Sequence, residues 1–261
     1  MQPRIRERRA DGWVLVAVGV LLAAWLIRPA HAGLSETFTV TNDYDFRGIS
    51  QSAEDTALQG SVDFSTDVGW YIGAWASNVD FGDSTSIEMD LYTGFTGNAG
   101  EFTYDAGLVW YTYDESVYNF PEAYVSGAYG PFKGKLWYSP EFAGVNLDPG
   151  TLELDRDSES AFYAEGNFTF PLGGAFSLLL HAGYSFGDYW DEAGELASLA
   201  SGENLDGEYL DYSVGVGGSF GKFSTTLKYI DTEADLENED LKVLNNDRRV
   251  VLSVATTFPW D

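Results

Sequence analysis

Apolar and polar residues alternate at a period of two through most of the sequence after Ser35. The stretch 248–260 shows the pattern best. Its mainly apolar parity consists of Val250, Leu252, Val254, Thr256, Phe258 and Trp260. Successive side chains of a β-strand point to opposite faces, so such a strand meets an apolar medium on one face and a wetter space on the other. Both a soluble β-sandwich and a membrane β-barrel satisfy this constraint.

The connections between the alternating segments distinguish these two folds. About twelve segments alternate, each near the ~9–11 residues that a tilted strand needs to cross a bilayer. Tight connections rich in Gly, Pro or Asn lie near 68–69, 97–100, 130–131, 171–174 and 221–222. Longer polar connections are 48–56, 81–86, 114–121, 143–158, 188–207 and 232–247. Short and long connections alternate, as do the periplasmic turns and extracellular loops of outer-membrane barrels.

The sequence therefore predicts an all-β protein, a transmembrane antiparallel up-and-down β-barrel of about 12 strands. Aromatic residues at the segment ends favour the membrane. Near the short connections they include Tyr129, Phe132, Phe170, Phe176, Phe220 and Phe223, and toward the other end Trp110, Tyr138, Tyr184 and Tyr229. Two such bands are typical of the two headgroup levels of a bilayer.

The N-terminal region has the pattern of a secretory signal peptide. A basic segment with Arg4, Arg6, Arg8 and Arg9 precedes an apolar run over 13–27, and Ala30-His31-Ala32 provides a small-x-small cleavage site. The alternative is a retained membrane anchor, but 15 apolar residues fall short of the ~20 that a spanning helix needs. We expect a cleaved signal peptide at 1–32 and one barrel domain at 33–261.

Composition excludes several classes of protein. The chain has no cysteine, which excludes a disulfide scaffold, a lipoprotein anchored through cysteine and thiolate metal sites. With 14 basic and 41 acidic residues, the formal net charge is -27, which argues against a nucleic-acid partner. Aromatic residues make up 16% of the chain, too many for an acidic disordered protein. No motif indicates a cofactor or a metal centre.

The polar parity of the segments supplies candidate lumen-facing residues. The acids are Asp43, Asp45, Asp63, Glu88, Asp90, Asp105, Glu122, Glu165 and Asp211, and the bases are Arg47, Lys133, Lys135, Lys228 and Arg249. The surplus of acids favours cations over anions. Eight strands give a filled barrel and sixteen an open channel, so twelve predict a narrow pore. We expect a passive porin for small polar or cationic solutes rather than an enzyme.

Two alternatives remain open. The first is a plugged barrel with a structural or surface-binding role, in which the same polar residues form a closed network. The second is an outer-membrane lipid or peptide hydrolase, because His181, the one histidine after residue 32, could pair with a serine and an acid. A lumen-facing polar residue explains His181 more simply.

Two of the long connections are strongly acidic. The stretches 188–207 and 232–247 contain many carboxylates and one lysine, Lys242. Oxygen-rich loops suit hard divalent cations, which also bridge lipopolysaccharide phosphates at the cell surface. Solvated acidic loops explain the composition more simply.

Several motifs carry a family resemblance. They occur at 43–52 (DYDFRGISQS), 57–60 (ALQG), 73–80 (GAWASNVD), 88–94 (EMDLYTG) and 209–213 (YLDYS). With these motifs the chain resembles the TorF-like, or Gcw_chp, family of candidate bacterial outer-membrane porins. The resemblance covers the chain after the leader and implies a barrel in the bacterial outer membrane, in contact with its lipid and lipopolysaccharide. It implies no particular solute.

The last segment is predicted to close the barrel. Its apolar parity would face lipid, Arg249, Ser253 and Thr257 would face the lumen, and the segment would pair with Phe38–Phe46. Alternate apolar residues ending in Phe258 resemble the C-terminal signal that the outer-membrane assembly machinery reads. Here Pro259, Trp260 and Asp261 follow, so Trp260 is the alternative terminal aromatic.

Deletion of residues 258–261 is expected to abolish assembly, because it removes both aromatic residues of this signal. The measurement is heat-modifiable electrophoretic migration of the protein in the outer-membrane fraction. A normal folded band for the shortened chain would contradict the prediction.

Overall fold

A computed structural model describes residues 33–115, 118–144, 146–147, 154–155, 159–201, 206–233 and 246–260. The strands are β1 (Gly33–Thr41), β2 (Asp45–Phe46), β3 (Ile49–Ser50), β4 (Ala57–Ser65), β5 (Trp70–Asn78), β6 (Ile87–Ala99), β7 (Phe102–Tyr113), β8 (Phe120–Tyr129), β9 (Phe132–Ser139), β10 (Asn146–Leu147), β11 (Leu154–Asp155), β12 (Ala161–Gly173), β13 (Phe176–Phe186), β14 (Tyr209–Phe220), β15 (Phe223–Glu233) and β16 (Arg249–Phe258). A short 3-10 helix spans Phe142–Gly144, and one α-helix, α1, spans Asp188–Ser201.

Twelve of these strands form a closed antiparallel barrel. Their order around the wall is β1-β16-β15-β14-β13-β12-β9-β8-β7-β6-β5-β4. The closing pair runs from Glu36 opposite Phe258 to Thr41 opposite Ser253. The predicted all-β, twelve-stranded barrel is confirmed, and the closing strand pairs with the first strand as expected. The remaining short strands form two separate hairpins, β2–β3 and β10–β11.

The alternation of the sequence becomes an outer and an inner face. On β16, Val250 and Leu252 are 55% and 46% exposed, whereas the intervening Val251 is 5% exposed. The other barrel strands follow the same rule, with apolar side chains on the outside. An outward apolar surface around a closed sheet, with no free strand edge, is how β-structure crosses a bilayer.

Aromatic side chains are exposed at both ends of this outer face. Near the short turns they are Trp70, Phe95, Phe102, Tyr129, Phe132, Phe170, Phe176, Phe220 and Phe223. Near the long connections they are Trp110, Tyr138, Tyr184 and Tyr229. The two bands lie at the levels where a membrane barrel meets the headgroups.

Short and long connections lie at opposite ends of the barrel. Four of the five short turns contain two residues, and the β4–β5 turn contains four. Gly130 and Gly221 have φ of +57° and +64°, a conformation that a tight hairpin turn requires and that glycine adopts without strain. On the other end, the described parts of the long connections include more structure than the sequence predicts.

The stretch 188–207, predicted as an irregular polar loop, contains α1. Asp188 and Asp191 lie in its first turn, where carboxylates interact favourably with the helix dipole. Among the described helices, none is both long and apolar enough to cross a bilayer. The predicted signal peptide, 1–32, and most of the acidic stretch 232–247 lie outside the described residues.

The prediction that 38–46 forms one continuous strand is wrong beyond Thr41. Asn42 ends the ladder with its side chain, whose Nδ2 donates to the carbonyl of Val250 (3.1 Å) while its Oδ1 accepts from the amide of Leu252 (2.6 Å). The amide group of Asn42 thereby satisfies backbone groups of β16 that a continuing β1 would have paired. After Asn42 the chain turns into the barrel.

The two faces of the closing strand should respond differently to charge. Leu252→Arg is expected to lower the free energy of unfolding by about 2–4 kcal/mol, because it places an ion against lipid. Ala255→Arg, on the inner face opposite Thr39 and Ser224, is expected to cost ~1 kcal/mol or less. Urea unfolding of the barrel refolded into lipid vesicles measures both. Equal destabilisation would contradict the assigned faces.

Candidate functional site

The connection Asn42–Thr56 between β1 and β4, here named loop 1, folds into the lumen. Its hairpin β2–β3 reverses at Arg47 and Gly48, which have φ of +54° and +80°. A Cβ on residue 48 would lie 2.3 Å from Thr232 Oγ1 and 2.6 Å from Asp211 Cβ, so only glycine fits against β14 and β15. The prediction that 48–56 is a long extracellular connection is therefore wrong for its first part, which is buried.

Arg249 on the closing strand holds one side of loop 1. Its guanidinium donates to Asp43 Oδ2, to Asp45 Oδ1 and, at 3.0 Å, to the carbonyl of Gly48. Its side chain and that of Asp43 are almost fully buried. A planar guanidinium spreads its N–H donors over three nitrogens in a rigid plane, so it can bind three separated acceptors at once.

Arg47 holds the other side of the loop, across the lumen. Its Nη2 donates to Glu122 Oε2 on β8 at 2.6 Å, and the hydroxyl of Tyr111 donates to the same oxygen at 2.9 Å. The guanidinium also lies 4.5 Å from the ring centroid of Tyr163 on β12. Loop 1 is thus anchored to walls on different sides of the barrel and spans the space between them.

Aromatic packing fills the end of the lumen next to the long connections. Ile49 of loop 1 belongs to one buried cluster with Tyr111, Phe142, Trp190 and Tyr209. Phe142 lies on the 3-10 helix and Trp190 on α1, so three connections contribute to the cluster. Within the described part of the chain, this end of the barrel is filled.

A chamber of about 590 Å³ lies in the lumen beside loop 1. Residues from both the loop and the wall line it: Tyr44, Asp45, Phe46, Arg47, Ser61, Asp63, Trp75, Asp90, Tyr92, Val109, Tyr111, Tyr124, Lys135, Trp137, Tyr163, Glu165, Asn167, His181, Asp211, Ser213, Lys228 and Ile230. At the short-turn end, the inward-facing Lys133 and Ser224 are exposed, so solvent reaches the lumen from that side. Loop 1 and the aromatic cluster block the opposite side.

His181 belongs to a polar network on the chamber wall. Its Nε2 lies 2.8 Å from Asp211 Oδ1, and its Nδ1 lies 2.9 Å from Asn167 Oδ1. Asn167 is oriented by its own donation to Glu165 (2.8 Å), and Tyr163 donates to Asp211 (3.0 Å). No serine hydroxyl bonds to His181 among the described residues, so the geometry gives the hydrolase hypothesis no support.

The lumen carboxylates are bonded largely by tyrosine and tryptophan. Tyr92 donates to Asp63, Tyr71 donates to Asp105, and Trp137 Nε1 donates to Glu165 at 3.0 Å. Lys135 has its ammonium 3.5 Å from the ring centroids of both Tyr124 and Trp137. The side chains of Lys133 and Lys228 make no hydrogen bond or ion pair with a described residue.

All fifteen predicted lumen residues lie on the inner side of the barrel, but some belong to the barrel strands and others to loop 1. The strands carry Asp63, Glu88, Asp90, Asp105, Glu122, Lys133, Lys135, Glu165, His181, Asp211, Lys228 and Arg249. Loop 1 carries Asp43, Asp45 and Arg47. The sequence interpretation missed the aromatic lining. The available signal was parity, because Tyr92, Tyr111, Tyr124, Trp137 and Tyr163 share the parity of the charged residues on their strands.

The buried environment of loop 1 raises the pKa values of two of its side chains. Burial raises the pKa of Asp45 from 3.8 to about 6, an effect opposed by Arg249 and reinforced by Asp211. Burial, together with the charges of Glu88 and Asp90, also raises the pKa of Tyr44 above its ordinary value. The hydroxyl of Tyr44 therefore stays protonated and acts as a donor.

Fold and site together define a class: an outer-membrane β-barrel with a polar, acid-rich lumen that a loop obstructs. The chain belongs to the Gcw_chp family, described as bacterial proteins of unknown function, which it matches over residues 29–258. The closed barrel and its outward apolar surface have the architecture of a bacterial outer-membrane barrel. Among curated proteins, none matches this sequence.

Solved structures share the fold. A chain solved in work on the in-meso crystallisation of membrane proteins superposes with a TM-score of 0.52 at 11% identity, covering 86% of this chain and 83% of that one. The KdgM porin in complex with disordered oligogalacturonate superposes with a TM-score of 0.50 at 8% identity, covering 87% and 99%. At these identities the likeness extends to the porin-like barrel fold only.

Arg249→Ala should release loop 1 from the lumen. Breaking a buried ion pair costs about 3–5 kcal/mol, because it leaves the partner carboxylates uncompensated. Trypsin is then expected to cut after Arg47 in intact barrels, whereas the unaltered protein resists. Lys133→Ala is the matched control, since it removes a base of the lumen that binds no part of loop 1. An Arg249→Ala barrel that stays folded and uncut at Arg47 would show that Arg249 does not hold the loop.

Proposed function

We propose that the protein is a narrow, passive, cation-preferring channel for small polar or cationic solutes in the outer membrane. The observation that carries the proposal is the chamber in the lumen, which is open toward the short turns and rich in carboxylates. Lipid and lipopolysaccharide surround the barrel in this proposal, and the outer-membrane assembly machinery reads its last strand.

The charge balance of the chamber supports the preference for cations. Arg249 and Arg47 are engaged with Asp43, Asp45 and Glu122 at the blocked end. The other predicted lumen acids are Asp63, Glu88, Asp90, Asp105, Glu165 and Asp211, and the bases left beside them are Lys133, Lys135 and Lys228. Low-dielectric walls focus the field of such a surplus and raise the local concentration of cations.

Loop 1 sets the narrowest point in this proposal. It crosses the lumen between Arg249 and Glu122, so a solute that traverses the barrel must pass it or displace it. The loop is linked to the wall mainly by ion pairs and hydrogen bonds, contacts that can exchange for water when the loop moves. The structure then corresponds to a closed or strongly restricted state of the channel.

A second candidate is a barrel that does not conduct. The filled end of the lumen favours it, because aromatic packing from loop 1, the 3-10 helix and α1 resembles a protein core. In that case the barrel would have a structural or surface-binding role.

Conductance across planar bilayers under a salt gradient tests the proposal. The unaltered protein should give small, cation-selective conductance, and replacement of residues 43–52 by a short Gly-Ser linker should raise the conductance several-fold, since it removes the obstruction while leaving the wall intact. Anion selectivity would refute the cation preference. If neither the unaltered protein nor the linker variant conducts although both form folded barrels, the non-conducting candidate is favoured.

Acidic pH should favour the docked loop. The pKa of Asp45 is about 6 in the docked loop and 3.8 ordinarily, so protonation stabilises docking. Docking is then strongest below about pH 4 and weakens as the pH rises through about 6. Conductance should rise on the order of tenfold from pH 4.5 to pH 7.5, and Asp45→Asn should flatten this dependence. Conductance that falls over this range would contradict the assignment.

A further inference from the structure

Two carboxylates of β6, Glu88 and Asp90, form a buried pair without a basic partner. They lie two residues apart on the inner face of the strand and are 1% and 8% exposed. No ion pair reaches either of them within the described part of the chain. Glu88 Oε2 and Asp90 Oδ1 have no hydrogen-bond partner there. The hydroxyl of Tyr44 donates to Glu88 Oε1 at 3.3 Å, and Tyr113 places a second hydroxyl beside the same carboxylate.

This arrangement requires a positive charge. Two carboxylates buried side by side repel each other, and burial without a counter-charge is costly. The nearby arginines do not supply it, because Arg47 is paired with Glu122 and Arg249 with Asp43 and Asp45. The charge must come from a proton or from a bound cation.

The surroundings of the pair are aromatic. Tyr44 and Trp75 have ring centroids 5.2 Å apart, and both line the chamber together with Asp90, Tyr92 and Tyr111. Rings around a carboxylate suit an ammonium group, which binds the acid with its charge and the ring faces by cation–π attraction. The same lumen already holds such a contact in Lys135, whose ammonium rests on Tyr124 and Trp137.

A metal ion fits this environment less well. Calcium takes ~6–8 oxygen ligands and magnesium requires a near-octahedral set. The described residues contain no cluster of three or more side chains of the kinds that hold a metal. The chamber of about 590 Å³ has room for an organic molecule of several carbon atoms.

We propose that Glu88 and Asp90, with the rings of Tyr44, Trp75, Tyr92 and Tyr111, form a binding site for small organic ammonium ions in the chamber. Asp90 contacts the ammonium from the chamber wall, and Glu88 adds its charge from behind. The alkyl part of the ligand packs on the rings. The inference rests on the proposed cation-preferring channel and names the class of solute that it binds.

Calorimetric titration of the full barrel in detergent with 1,4-diaminobutane tests the site. Saturable binding is expected, and Asp90→Asn should weaken it about tenfold or more, because the contacting charge is lost. Trp75→Leu should weaken it several-fold without changing the charge. Asp231→Asn is the matched control, because it removes a carboxylate that bonds Tyr212 on the opposite face of the barrel wall. If Asp90→Asn does not fold, Glu88→Gln replaces it and should also weaken binding.

Three outcomes would overturn the proposal. They are the absence of saturable diamine binding, an equal loss of affinity in the Asp231→Asn control, and displacement of the diamine by KCl or MgCl2 at equal concentration. The last result would assign the acid pair to inorganic cations. Cation-selective conductance without diamine binding would refute this site and leave the proposed channel intact, whereas diamine binding by a silent barrel would refute the channel and leave the site.

Discussion

The organisation of the lumen depends on the guanidinium of Arg249. It lies on the closing strand and binds Asp43, Asp45 and the carbonyl of Gly48, so it determines where the chain goes after β1. Without Arg249, the buried carboxylates of loop 1 would have no positive charge beside them. The loop would then be more stable outside the lumen, exposed to water, than docked inside it. Closure of the barrel brings β16 beside β1 and thereby presents Arg249 to the loop. The fold of the wall and the filling of the lumen are therefore coupled.

The acid-rich interior is stable because tyrosines, rather than bases, bond many of its carboxylates. Tyr92 binds Asp63, Tyr71 binds Asp105, Tyr111 binds Glu122 and Tyr163 binds Asp211. A phenol satisfies an acceptor without neutralising its charge. The lumen can thus satisfy its polar groups and retain a negative field, which a network of ion pairs would cancel. Aromatic residues on the outer face serve as membrane anchors. Other aromatic residues, on the inner face, serve as hydrogen-bond donors and packing groups.

The sequence predicts what is local and periodic. Alternation identifies the strands and both faces, and glycine with short spacing identifies the turns at one end, because these features depend on neighbours in the chain. The path of loop 1 is different, since Asp43 meets Arg249 across 206 positions of the sequence. Local signals instead predict a strand that continues to residue 46 and an exposed polar loop over 48–56. In a continuous strand over 38–46, Tyr44 and Phe46 would face lipid with Phe38 and Val40. Because β1 ends at Thr41, this parity does not apply to them.

Loop 1 and the acid pair of β6 are parts of one physical unit. Tyr44 belongs to the loop, donates to Glu88 and packs on Trp75, so it connects the obstruction in the lumen to the carboxylates behind it. Any change in the charge of Glu88 and Asp90 alters the acceptor of that hydrogen bond. A cation that neutralises the two carboxylates weakens the hydrogen bond from the Tyr44 hydroxyl to Glu88. Without a cation, the charged carboxylate accepts a stronger hydrogen bond. If the proposed site binds a cation, its occupancy and the docking of the loop are therefore energetically coupled, although they involve different elements of the fold.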